Sequence, residues 1–142
     1  MTATVIVPVV DEGLGNSAYL ADLGAGMLAG GMPAWEAAGQ PTAATPLLTP
    51  GQVDPAAVID VRQASEYAAG HLPGGRNIEL GALPSQAARV QGRPVVTLCG
   101  HGERAATAAS VLERAGHTAV AVLAGGPPDW SDATGVALES KA

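Results

Sequence analysis

The residues best suited to chemistry in this chain lie at 99–104, a short segment that carries the single cysteine of the sequence. The segment reads Cys99-Gly100-His101-Gly102-Glu103-Arg104. It follows the apolar run 94–98, which predicts a buried strand, and it precedes the alanine-rich run 105–115, which predicts a helix. Inward-pointing N–H groups of a turn and the N-terminal end of a helix both favour an anion. The pattern therefore predicts an anion-binding loop in which the Cys99 sulfur is a thiolate nucleophile.

The other residues of this loop predict contacts with a substrate. The N–H groups of residues 100–104 are the expected donors to an anionic sulfur, and the two glycines allow the backbone to aim them inward. Arg104 offers several N–H donors, either to an anion on the substrate or to the loop itself. A lone cysteine at a strand end is commonly an inert core residue. It is the neighbouring loop residues that indicate a reactive cysteine here. We predict Cys99 and Arg104 as catalytic residues and Gly100, His101, Gly102 and Glu103 as substrate-binding residues.

Alternating strands and helices are predicted to position this loop. Short links between such elements imply right-handed crossovers and a parallel sheet. Sites in sheets of this kind lie at the carboxyl ends of the strands, where Cys99 falls. Aromatic residues make up 3% of the chain and phenylalanine is absent, so the core must be aliphatic. The predicted strands lie near 57–61, 77–80, 94–98 and 119–123, and the predicted helices near 64–69, 83–90, 103–115 and 127–133.

Three segments of the chain resemble the rhodanese family, sulfurtransferases that carry sulfur as a cysteine persulfide. The first is the Cys-x4-Arg loop itself. The second comprises Val58–Arg62 and Glu66–Ile78, similar to the family pattern D-V-R, E-Y, G-H-I-P-G-A, N-I, and the third is Leu123–Gly126 followed by Trp130. The resemblance covers residues 46–138. It implies an α/β fold of three layers, with a central, mainly parallel sheet of four or five strands flanked by helices.

The resemblance implies a sulfurtransferase without a cofactor. Cys99 would take sulfane sulfur from a small-molecule or protein persulfide donor and pass it to a thiol or cyanide acceptor. Asp60 and Arg62 are expected to form a structural ion-pair network near the site, with Glu66 as a further candidate member. A non-catalytic binding or regulatory module is the alternative, since some rhodanese-like domains have that role. A phosphatase or an arsenate reductase is less favoured, because related phosphatases use Cys-x5-Arg to hold a tetrahedral phosphate.

The charge of the loop favours one group of sulfur donors. Glu103 would repel a dianion such as thiosulfate, and His101 would counteract this only when it is protonated. We therefore expect an organic or protein persulfide as the donor in preference to thiosulfate.

Composition limits the partners and the compartment. The net charge of −6 argues against nucleic acid or an anionic membrane as a partner. The single cysteine excludes an intramolecular disulfide and favours a reducing compartment. The three histidines have no metal-ligand spacing, so no metal site is predicted. We expect a soluble, cytoplasmic protein.

Residues 1–45 are predicted to be an extension and residues 46–142 a rhodanese domain. Leu28–Trp35 nearly repeats Leu123–Trp130, and residues 4–22 resemble the opening strands of metallo-β-lactamase-fold hydrolases. These likenesses suggest an internal deletion in a fusion of such a hydrolase with rhodanese domains, similar to persulfide dioxygenases; an ordinary extension is the alternative. The apolar segment Val5–Val10 is expected to pair with an exposed sheet edge, in its own chain or in a homodimer.

Overall fold

The computed structural model describes residues 30–42, 44–92 and 94–141. The chain divides into two compact units, Met1–Ala44 and Thr45–Ala142. In the first unit, helix α1 (Gly31–Ala37) follows Gly30, whose φ is 81°. The segment Val5–Val10 and the predictions made for it lie outside the described residues.

A parallel sheet forms the centre of the second unit. Its five described strands are β1 (Leu47–Leu48), β2 (Val58–Asp60), β3 (Arg76–Asn77), β4 (Val95–Leu98) and β5 (Val120–Leu123). They are arranged in the order β1-β5-β4-β2-β3, and every neighbouring pair is parallel. Asp60 lies opposite Leu98, so the ends of two neighbouring strands meet beside Cys99.

Helices connect and cover these strands. The predicted helix 83–90 is a short α-helix followed by a 3-10 turn at Ala87–Arg89, and the predicted strand 77–80 is two residues long, at Arg76–Asn77. Further 3-10 turns lie at Pro50–Gln52 and Pro55–Ala57. The α-helices are α2 (Ala64–Ala69), α3 (Leu83–Gln86), α4 (Glu103–Arg114) and α5 (Pro127–Thr134).

Alternation along β4 divides the core into two apolar layers, because successive side chains of a strand point to opposite faces. Val95 and Cys99 belong to a cluster that includes Leu112 of α4. Val96 and Leu98 belong to a second cluster, which includes Trp130 of α5. The α/β fold of three layers is therefore confirmed, with a sheet buried on both faces as parallel sheets generally are.

Within the described ranges, no helix is long and apolar enough to cross a membrane. In the same part of the chain, no group of three or more His, Cys, Asp or Glu residues is arranged to hold a metal ion.

Candidate active site

Cys99 lies directly after β4, where the sheet ends and the loop to α4 begins. The residue exposes 0% of its surface. Its Sγ atom accepts a hydrogen bond of 3.0 Å from the backbone N–H of Gly102. Gly102 has a φ of 122°, a conformation that other residues adopt only with strain, so glycine is needed there to aim this N–H at the sulfur. Gly100 has no such φ, and the conformational freedom predicted for it is not used.

The sulfur sits at the N-terminal end of α4. Gly102 caps this helix of 12 residues, and the same residue donates to Sγ. Helix N-termini carry a partial positive charge, so this position favours an anionic sulfur. His101 and Glu103 are exposed. Of the N–H groups predicted at 100–104, that of Gly102 is the one that bonds the sulfur in the described structure.

Arg104 binds a carboxylate on a different element. Its two terminal nitrogens donate to the two oxygens of Glu66 at 2.8 and 2.9 Å, a bidentate ion pair between α4 and α2. The bonds from Arg104, together with the N–H of Gln63, lower the pKa of Glu66 to about 2, and the same pair raises the pKa of Arg104. Arg104 was predicted to bind either an anion on the substrate or the loop itself. In this structure its guanidinium binds a carboxylate of the protein.

The ion pair predicts a pH-dependent term in stability. Because the pKa of Glu66 falls from 4.5 to about 2 in the folded protein, its contribution is complete above pH 4.5 and declines as the pH falls towards 2. Both side chains are more than one-third exposed, so we expect the contribution to be below about 1 kcal/mol. Urea unfolding of the protein and of Glu66→Gln should show a stability difference that shrinks over this range. A difference that does not change with pH would contradict the prediction.

Asp60 and Arg62 form the predicted ion pair, beneath the loops at the end of β2. Both are buried, and an Arg62 terminal nitrogen lies 2.6 Å from an Asp60 oxygen. The guanidinium also donates to the carbonyl of Gly70 at 2.7 Å. Asn77 completes the arrangement by donating to the backbone carbonyls of Asp60 and Arg62, each at 2.9 Å. Glu66 was expected here as a further member; it pairs with Arg104 on α4 instead.

Two contacts that the sequence did not reveal fix the loop from other sides. A Cβ atom placed on Gly126 would lie 2.5 Å from the carbonyl oxygen of Gly100, so the backbone before α5 packs directly against the loop. Thr97 of β4 donates from its hydroxyl to the carbonyl of Ala105 at 2.9 Å, which ties the first turn of α4 to the sheet.

The described part of the chain also has a cavity of about 710 Å³. It is lined by α2, by β3 and by Lys141, and it contains no residue of 99–104. We place the candidate site at Cys99 because the sulfur, the helix end and the ion pair meet there. The cavity offers no comparable group of reactive side chains.

The protein is thus a parallel α/β domain with a cysteine loop at the carboxyl end of its central strand, β4. The family model for the rhodanese-like domain matches residues 44–133. The chain belongs to the rhodanese-like family.

Two relatives and one solved structure are similar to this chain. The chain is 36% identical over 76 residues to the uncharacterized protein YqhL of Bacillus subtilis, an alignment that covers 53% of this chain and 60% of YqhL. It is 32% identical over 76 residues to the thiosulfate sulfurtransferase GlpE of Stutzerimonas stutzeri, covering 53% of this chain and 70% of GlpE. A rhodanese-like domain protein from Staphylococcus aureus has the same fold, with a TM-score of 0.58 and 24% identity over 69% of this chain and all (100%) of that one.

Proposed function

We propose that this protein is a sulfurtransferase that carries sulfane sulfur as a persulfide on Cys99. The observation that carries the proposal is the bond from the Gly102 N–H to Sγ at the start of α4. A donor and a helix end that favour a thiolate also favour an anionic persulfide formed on it. We further propose that it acts in a reducing compartment, the cytoplasm, where a single cysteine stays a thiol.

The proposed reaction consists of two displacements at sulfur. In the first, the Cys99 thiolate attacks the outer sulfur of a donor persulfide, a new S–S bond forms, and the donor S–S bond breaks with its electron pair leaving on the donor thiolate. In the second, an acceptor thiolate or cyanide attacks the outer sulfur, and the S–S bond to Cys99 breaks to restore the Cys99 thiolate. Charge is conserved in both steps, and neither step needs a further oxidant or reductant.

Access to the sulfur requires the loop to move. Cys99 exposes 0% of its surface, so a donor reaches Sγ when the turn above it opens. Gly100 and Gly102 give this turn little side-chain packing to break, and α4 and the Arg104–Glu66 pair hold its far end. We propose that opening occurs at residues 100–102 while the end of β4 stays in place.

The donor we propose is an organic or protein persulfide, with a thiol as the acceptor. GlpE is named for thiosulfate, which supports sulfane-sulfur transfer as the reaction type. In this chain, Glu103 is exposed at the first position of α4 and opposes the approach of a dianion. Transfer from each donor to cyanide, measured as thiocyanate, tests the function; no transfer from any donor would refute it.

A non-catalytic binding module is the second candidate. The observation that favours it is the complete burial of Cys99, which is what a structural cysteine also shows. A phosphatase is less favoured, because the loop of four residues between Cys99 and Arg104 is one shorter than in the related phosphatases, and because the guanidinium of Arg104 binds Glu66.

Glu103→Lys should raise the activity with thiosulfate relative to that with an organic persulfide, by about threefold to tenfold. The change replaces an anion near the loop with a cation, which attracts a dianionic donor more than a monoanionic one. The measurement is the ratio of the two kcat/KM values.

Glu113→Lys is the matched control for this substitution. It makes the same charge change on the same helix, about 15 Å further along its axis, and should leave the ratio nearly unchanged. An equal ratio in Glu103→Lys and in the unsubstituted protein would show that residue 103 has no influence on the donor.

A further inference from the structure

We propose that Glu66 determines which donors the loop accepts, by keeping the guanidinium of Arg104 neutralised. This inference rests on the proposed function and identifies the substrate class of that site: organic persulfides in preference to thiosulfate. Glu66 lies on α2, 33 positions before Cys99 in the sequence, and it reaches the loop through Arg104 alone among the described side-chain contacts.

The position of the guanidinium makes it the natural anion-binding group of the loop. A terminal nitrogen of Arg104 lies 3.8 Å from the position that a Cβ atom on Gly100 would occupy, so the charge sits beside the residue that follows Cys99. Both terminal nitrogens nevertheless donate to Glu66, in the two-bond geometry that guanidinium and carboxylate groups prefer. Because Glu66 neutralises its charge, Arg104 attracts an incoming anion less strongly than an unpaired guanidinium would.

No second guanidinium compensates for this in the described surroundings of the loop. Arg62 is buried and makes three contacts with the carboxylate of Asp60, so its charge is also matched. Glu103 adds a further exposed carboxylate. Three carboxylates thus accompany two guanidinium groups, and a dianion meets a site in which both cations are already paired. A persulfide whose only charge is one negative charge on its terminal sulfur is repelled less by these carboxylates than a dianion is.

Glu66→Gln removes the negative charge of this residue and keeps its structural role. Glu66 also accepts the N–H of Gln63 at 3.0 Å, a bond that caps α2. A glutamine carbonyl can accept the same bond, because Gln as well as Glu serves at this capping position. The variant should therefore keep α2 intact while releasing Arg104 from its ion pair.

The experiment measures kcat/KM for thiosulfate and for an alkyl persulfide whose only charge lies on its terminal sulfur, in Glu66→Gln and in the unsubstituted protein. We expect the ratio of thiosulfate to persulfide to rise about threefold to tenfold, because one exposed charge is unmasked. The matched control is Glu79→Gln, which removes another carboxylate near α2: Glu79 accepts the N–H of Ala64 at 2.8 Å. The control should leave the ratio unchanged, and the double variant Glu66→Gln/Arg104→Gln should lose the gain.

A second measurement does not depend on sulfur transfer. The ratio of Cys99 alkylation by iodoacetate, an anion, to that by neutral iodoacetamide should rise in Glu66→Gln and return in the double variant. An unchanged alkylation ratio, an equal rise in Glu79→Gln, or a rise that survives the loss of Arg104 would each overturn the inference. Absence of sulfur transfer together with the expected alkylation ratios would instead refute the proposed function and leave the charge-masking role of Glu66 supported.

Discussion

Replacing Cys99 by serine is expected to reduce sulfur transfer to the uncatalysed level while the fold remains. The side chain lies at the end of β4 with its sulfur on the Gly102 N–H, and a serine hydroxyl can accept the same hydrogen bond. A serine hydroxyl is not ionised near neutral pH and forms no persulfide, so both half-reactions stop. The free energy of unfolding should fall by about 1–3 kcal/mol, because a hydroxyl replaces a thiol at a fully buried position of an apolar cluster.

The measurement for Cys99→Ser is thiocyanate formation from a persulfide donor, together with the thermal unfolding midpoint. Unsubstituted protein alkylated with iodoacetamide is the matched control, since it keeps every other residue and blocks the same sulfur. Equal turnover by the serine variant would show that Cys99 is not the nucleophile. Loss of folding would show that the cysteine acts mainly as a core residue.

Gly126→Ala is expected to displace the loop and to lower sulfur transfer by about tenfold or more. The added Cβ would lie 2.5 Å from the carbonyl oxygen of Gly100 and 3.3 Å from that of Cys99, both backbone atoms that cannot rotate away. The φ of Gly126 is −130°, which alanine also adopts, so the effect is steric alone. Overpacking of this kind costs about 1–3 kcal/mol, and here the strain falls on the loop that holds the sulfur.

Gly81→Ala is the matched control for this substitution. A Cβ atom on Gly81 has nothing within 4 Å, and its φ is not in the left-handed region. Activity and the free energy of unfolding should therefore be close to those of the unsubstituted protein. If Gly126→Ala behaves like this control, the contact between Gly126 and Gly100 does not hold the loop.

Strands and helices with a strong local signal were predictable. The apolar runs gave β4 and β5 to within one residue, at Val95–Leu98 against 94–98 and at Val120–Leu123 against 119–123. Strand β1 was not predicted, because two residues carry no periodicity; its pairing with β5 makes it a strand. The predicted helix 83–90 was too long, since its second half tightens into a 3-10 turn that has no distinct sequence signal.

Contacts within the site could be predicted when the two residues are close in the sequence, and could not when they are far apart. Asp60 and Arg62 are two positions apart at the end of one strand, so their pairing could be expected. Glu66 and Arg104 are 38 positions apart, and a single sequence holds no information on which of several cations Glu66 will meet. The glycine pair before α5 was visible, but its close approach to Gly100 depends on how two loops pack.

Persulfide formation on Cys99 can be measured directly as the mass of the protein after incubation with an organic persulfide. We expect a gain of one sulfur atom, located on the peptide that contains Cys99, absent in Cys99→Ser, and lost again when a thiol or cyanide is added. No added sulfur from any organic persulfide or from thiosulfate, with the protein folded and Cys99 reduced, would contradict it and would favour a binding module.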